Sequence, residues 1–294
     1  MKRIFLFMAT NIAVMVTLMI VLSLLGFTGY LTADGLDYGA LMVFSLVWGF
    51  GGALISLLMS RWMAKMAMGV QLVNGRTGHA ELDWLYQSVE QLTRKAGLPM
   101  PEVGIYDSPE VNAFATGPSK RSSLVAVSSG LMRSMRREEI EGVLAHEVSH
   151  IQNGDMVTMT LIQGVVNAFS IFFSRVIANI VRQLVDERIS GLVFFVTTIV
   201  FDIVFSILGM MVVAWFSRAR EFRADAGAAV LSSRNNMIAA LQRLQTNQAL
   251  VDHSQPQLAT MKISGGKPGG WRMLTSTHPP LEERIAALQR PTLR

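Results

Sequence analysis

The chain has 294 residues, 51% of them hydrophobic and only 16% charged, with a mean hydropathy of +0.38. That composition excludes a purely water-soluble globule and implies segments in lipid. The net charge of +5 does not mark a nucleic-acid binder: the basic residues Lys2, Arg3, Arg61, Lys65, Arg218, Arg220 and Arg223 sit at the ends of apolar runs, with no basic stripe of interleaved aromatics. The absence of cysteine excludes disulfides and thiolate metal sites, leaving His, Asp and Glu as ligands.

Residues 1–60 hold two predicted spans. Ile4 to Phe27 is apolar for about the length a bilayer requires. No clean cleavage site follows it, which favours an uncleaved signal anchor over a removed signal peptide. The loop from Thr28 to Asp37 carries Asp34 and Asp37 and no Lys or Arg. Tyr38 to Met59 forms the second span, with Arg61 and Lys65 behind it. Positive charge outside the pair and acid between its members place both outer ends in the cytoplasm. Gly49 and Ala53 form a small-x-x-x-small pair suited to close helix packing.

Residues 61–155 have the composition of a soluble domain. A helix is predicted from Ala80 to Ala96, with Leu82, Leu85, Val89 and Leu92 on one face and Gly97 as its stop. Short runs at 103–106, 111–116 and 124–128, separated by turn residues, predict a small antiparallel β-sheet. A second helix carries His146-Glu147-Val148-Ser149-His150. Its acidic start is Glu138, Glu139 and Glu141, its buried stripe is Ile140, Val143, Leu144 and Ile151, and Asn153-Gly154 ends it. Four residues advance a helix by about one turn, so both imidazoles face one point and can share one zinc ion. Glu147 projects beside them, placed to take a proton from a water on that metal. His79 and His253 lie in polar segments and read as surface.

Residues 156–216 are apolar again, with runs from Met156 to Phe173 and from Leu192 to Phe216. They predict a third and a fourth span, joined by a segment carrying Arg175, Arg182, Asp186, Glu187 and Arg188. Each run is long enough for a full crossing, although the net-positive connection also fits a shallow hairpin. In the last segment, 217–294, Asn235 to Gln245 is amphipathic, the glycines from 265 to 270 make a loop without phosphate-loop spacing, and Pro280 to Leu288 is a closing helix.

A two-histidine site needs a third ligand. Glu221 stands just beyond the fourth span, and a membrane hairpin returns it to nearly the height at which His150 left. Asp225 lies one turn on, placed to accept the spare N–H of a ligand histidine.

His-Glu-x-x-His with a later Glu-x-x-x-Asp resembles the thermolysin-like zinc endopeptidases whose third ligand is glutamate. With the spans, Val111-Asn-Ala-Phe-Ala-Thr-Gly117, His150-Ile-Gln-Asn-Gly-Asp155 and Thr277-His-Pro-Pro280, the whole chain resembles the HtpX-type bacterial inner-membrane proteases. These are relatives of the prenyl-protein-processing membrane endopeptidases. The resemblance implies a mainly α integral membrane protein with four transmembrane helices and a thermolysin-like zinc protease domain. It implies one Zn²⁺ per chain on His146, His150 and Glu221, and a cytoplasmic catalytic domain in the inner membrane. Its substrates would be damaged or misassembled membrane proteins and unfolded polypeptides. The same resemblance makes Asn112, Ala113 and Phe114 an edge strand for substrate, His278 an oxyanion stabiliser and Arg284 a further site residue. Two rival readings stay open on sequence: a zinc-dependent processor of prenylated or other specific peptides, and a non-catalytic zinc-stabilised membrane scaffold.

Overall fold

The architecture is taken from a computed structural model, which describes residues 2–32, 35–247 and 272–290. Asp34, His253 and the glycines of 265–270 lie outside the described residues. In chain order the helices are α1 (Lys2–Leu24), α2 (Tyr38–Met68), α3 (Ala80–Lys95), α4 (Ser129–Ser134), α5 (Arg137–Asn153), α6 (Asp155–Arg182), α7 (Glu187–Leu231), α8 (Arg234–Asn247), α9 (Arg272–Thr275) and α10 (Leu281–Gln289). The strands are β1 (Leu31–Thr32), β2 (Gly35–Leu36), β3 (Gln71–Val73), β4 (Glu102–Tyr106), β5 (Ala113–Ser119) and β6 (Ser122–Ser128). The chain divides into two units, Met1–Ser56 with Thr158–Val213 and Leu57–Val157 with Ala214–Arg294. Helices α2, α6 and α7 each run from one unit into the other.

In the first unit, α2, α6 and α7 are each long and apolar enough to cross a membrane, and α1 is a helix of 23 residues. Gly49 is where α2 meets α6: a Cβ there would stand 2.5 Å from the backbone nitrogen of Ala168. The small residue is thus used for helix packing within the chain. From sequence, the third span ends at Phe173 because a charge follows. The structure instead continues α6 to Arg182 and leaves only residues 183–186 between it and α7. The reason is tertiary: Arg175 donates to Asp202 of α7 at 2.9 Å, and Ser174 donates to the same carboxylate. A paired charge does not end an apolar helix.

In the second unit the four-stranded sheet has the order β3-β4-β6-β5. The expected antiparallel sheet is therefore corrected to a mixed one, since β4 and β6 pair in parallel. The chain passes over one position after β4, lays down β5 at the edge, and returns through a tight turn so that β6 fills the gap. Strand β6 is buried along almost its whole length, as a central strand covered on both faces must be. One face packs on α5 through Val103, Ala113, Val125 and Val127, in a core that also takes Leu85, Val89 and Leu92 of α3 and Met237, Leu241 and Leu244 of α8. The other face holds Tyr106, Phe114, Leu124 and Ala126 against Ala64 of α2.

Candidate metal centre

Helix α5 is fixed at both ends. The Glu139 carboxylate accepts from the backbone N–H of Arg136 at 2.8 Å, satisfying a donor that the first turn leaves open. Burial alone would raise the Glu139 pKa, but bonds from Arg136 and Arg243 outweigh it and hold the carboxyl below its usual range. At the other end Gly154 takes a left-handed conformation (φ 70°), and its N–H bonds to Ile151. Between these caps Ile140, Val143, Leu144 and Ile151 are all buried. The registry turns His146 and His150 to one point, with ring centroids 4.5 Å apart.

Helix α7 continues without a break past residue 216 and brings Glu221 and Asp225 against α5. Gly227 permits the approach: a Cβ there would lie 2.6 Å from the Ser149 hydroxyl. The Nε2 atoms of the two histidines stand 3.0 Å apart. Glu221 places Oε2 at 3.5 Å from Nε2 of His146 and Oε1 at 3.4 Å from Nε2 of His150. The two Glu221 contacts use different oxygens of one carboxylate. Ligand atoms roughly 2.05 Å from a tetrahedral zinc are roughly 3.3 Å from one another, so each of these three separations has about the length of an edge of that polyhedron.

Two carboxylates set the tautomers. Nδ1 of His146 lies 2.9 Å from Asp225, and Nδ1 of His150 lies 2.6 Å from Asp155. With both Nδ1–H groups donated, both Nε2 lone pairs point into the space beside Glu221. Both Glu221 oxygens are buried without a hydrogen bond among the described residues. Two imidazole lone pairs and a carboxylate facing one another are a donor set suited to a divalent cation. Burial opposes charge on His146, yet the neighbouring carboxylates of Asp225 and Glu221 raise its pKa to about 9. Burial likewise opposes charge on Glu221, but His278, His146 and His150 hold it well below the usual carboxylate range. The His146, His150 and Glu221 set fits a metal ion.

The other predicted residues fall as follows. Glu147 is 4% exposed. Nδ1 of His278 lies 3.0 Å from Glu221, and its side chain is 11% exposed. Arg284 is fully buried and forks onto Asp225 through Nε at 2.8 Å and Nη2 at 2.6 Å, with Nη1 at 3.4 Å from Glu221. Asn112 precedes β5, donating its N–H to the Ser128 hydroxyl and accepting the Ser128 N–H at 2.9 Å. Ala113 and Phe114 open β5, the terminal strand of the sheet, with Phe114 tilted against Tyr106. His79 is exposed. Sequence reasoning assigned no role to Asp155. Its signal was position: it opens a helix directly after the Gly154 stop, beneath the last turn of α5.

The sequence pattern of peptidase family M48 matches residues 79–292. A protease HtpX homolog from Thiobacillus denitrificans is 52% identical over 292 residues, covering 98% of this chain and 99% of its own length. Protease HtpX from Pseudomonas putida is 49% identical, covering 99% of each chain. The crystal structure of Ste24p from S. mikatae has a similar fold, with a TM-score of 0.64 at 19% identity over 98% of this chain and 67% of that one. The chain therefore belongs to peptidase family M48, as a membrane metalloprotease of the HtpX type.

Proposed function

We infer that this chain is a zinc endopeptidase of the bacterial inner membrane that cleaves cytoplasmic regions of damaged or misassembled membrane proteins. The observation that carries the reading is the convergence of His146, His150 and Glu221. The two Nε2 atoms stand 3.0 Å apart and each lies 3.4 to 3.5 Å from one Glu221 oxygen, separations that suit zinc with nitrogen and oxygen ligands. His146, His150 and Glu221 would hold the ion. Zinc bound there supplies Lewis acidity, polarising the scissile carbonyl and making water a nucleophile at neutral pH.

The chain's own groups do the rest. Glu147, beside His146 on α5, accepts the proton of the attacking water and delivers it to the leaving amine. His278 faces Glu221 through Nδ1, which leaves Nε2 to stabilise the oxyanion that develops on the carbonyl. Arg284 acts from behind, neutralising Asp225 and Glu221 so that two buried carboxylates coexist. Because Asn112 spends its N–H and C=O on Ser128, strand alternation turns those of Ala113 and Ala115 away from β6. That edge suits an extended substrate added as a further strand, with Asn112, Ala113 and Phe114 at its start. Four spans, α1, α2, α6 and α7, with both termini and the catalytic unit in the cytoplasm, complete the reading.

The test uses purified chain and an unfolded membrane-protein substrate. Chelation should abolish cleavage and zinc should restore it. Glu147→Gln should keep its zinc and lose cleavage by at least about a hundredfold. Cleavage that survives chelation, or cleavage confined to prenylated peptides, overturns the reading.

A further inference from the structure

The metal centre leaves one polar cluster without a role. In the membrane unit, α2, α6 and α7 enclose a cavity of about 440 Å³ whose polar wall is Gln163, Asn167, Ser170, Arg175, Asp202 and Ser206. Arg175 is the one charged residue of α6 between Asp155 and Arg182, and Asp202 the one of α7 between Arg188 and Arg218. Their ion pair pins the two helices, with Nη1 of Arg175 at 2.9 and 3.2 Å from the two Asp202 oxygens. A pin alone needs no open volume, and this one is incompletely satisfied. Nε of Arg175 is buried without a hydrogen bond among the described residues, and the Asp202 side chain is 38% exposed.

In hydrocarbon, such groups need a polar occupant. Depth argues against a lipid headgroup. The α6 residues of the wall, 163 to 175, stand roughly 10 Å or more from either end of a helix that runs from Asp155 to Arg182, the level of acyl chains and not of phosphates. On α7, the helix that carries Asp202 and Ser206, Ile199, Ile203 and Ile207 are each about half exposed, an apolar bed along which another membrane helix can lie.

We propose that this cavity is a docking site for a transmembrane segment carrying a hydrogen-bonding side chain such as asparagine or glutamine. A correctly assembled membrane protein buries such side chains against its own helices, and an orphaned or misassembled one exposes them to lipid. The cavity answers them with the acceptors of the part-exposed Asp202 carboxylate and the side-chain amides of Gln163 and Asn167, and so selects the substrate class of the proposed protease by what its membrane segment displays. The inference rests on the endopeptidase reading for its consequence, while the binding itself does not.

The test uses the full chain carrying Glu147→Gln in lipid nanodiscs, with two single-span polyleucine peptides at a dilution where they stay apart. One has a central asparagine, the other leucine, and both carry the same fluorescent cytoplasmic tail. Energy transfer should show the asparagine peptide binding about threefold to tenfold tighter. Ser206→Leu, which fills the cavity and leaves the ion pair intact, should erase the preference. Arg175→Met with Asp202→Leu removes the polar wall by another route and should erase it too. Equal binding of the two peptides, or a preference that survives both variants, overturns the proposal. Cleavage of the detached tail by chain carrying only Ser206→Leu should match the unsubstituted enzyme, so that failed docking is told apart from failed proteolysis.

Discussion

The Nδ1 atom of His146 lies 2.9 Å from Asp225, and Arg284 grips that same carboxylate with two donors at 2.8 and 2.6 Å. The histidine on α5 is thus oriented by α7, and α7 is neutralised by α10. Replacing Arg284 by Met keeps volume and removes the charge, leaving Asp225 and Glu221 buried with one partner fewer. Loss of one member of a buried ionic network costs about 3 to 5 kcal/mol. The variant should therefore unfold at markedly lower temperature in detergent and bind zinc poorly. Thermal denaturation and metal analysis check both outcomes.

Asp155 does for His150 what Asp225 does for His146, at 2.6 Å and from the first residue of α6. Asp155→Asn preserves the shape and loses the charged acceptor. Removal of such a partner lowers metal affinity by about 10- to 100-fold. Competition with a zinc-binding dye should show that drop with the fold intact by circular dichroism. An unchanged affinity would remove Asp155 from the centre.

Gly227 sets the spacing between α7 and α5. A valine there would drive its side chain into Ser149, whose hydroxyl stands 2.6 Å from the nearest Cβ position. Overpacking of this kind costs about 1 to 3 kcal/mol and displaces Glu221 from the histidines. Gly227→Val should lower zinc content, and Gly227→Ala combined with Ser149→Ala should retain more zinc than Gly227→Val. Metal-to-protein ratios of the purified variants decide it.

Glu139 gives the α5 cap a defined pH dependence. Its pKa is lowered from the ordinary 4.5 on folding, so its contribution is complete above about pH 5 and is lost as pH falls through the lowered folded value. Its partners Arg136 and Arg243 are 69% and 36% exposed, which limits the effect to about 1 kcal/mol. The stability difference between wild type and Glu139→Gln should be constant near neutrality and shrink in acid. Denaturant titrations at several pH values measure it.

The parts of this structure that were legible in the sequence are those set by local periodicity. The apolar stripe of α5, the Gly154 stop and the convergence of His146 with His150 follow from helix geometry alone. Glu221 was legible because two consecutive apolar runs, each long enough to cross, bring the chain back to the side from which it left. Strand order was not legible: runs at 103–106, 111–116 and 124–128 carry no mark saying that the third inserts beside the first. Three-residue β3 is too short to show a period. Arg175 reads as the end of a span because its partner Asp202 is on another helix, and Asp155 reads as an ordinary acidic helix start because its histidine belongs to the preceding one. In each case a contact between elements decided the outcome.

The most direct test of the metal centre is X-ray absorption at the zinc edge on Glu147→Gln chain, alone and combined with Glu221→Ala. With Glu221 present, one zinc per chain should show two imidazole ligands and oxygen at about 2.0 to 2.2 Å. With Glu221 removed, zinc content should fall well below one per chain. Full occupancy with an unchanged coordination shell after loss of Glu221 would contradict a metal centre assembled from α5 and α7.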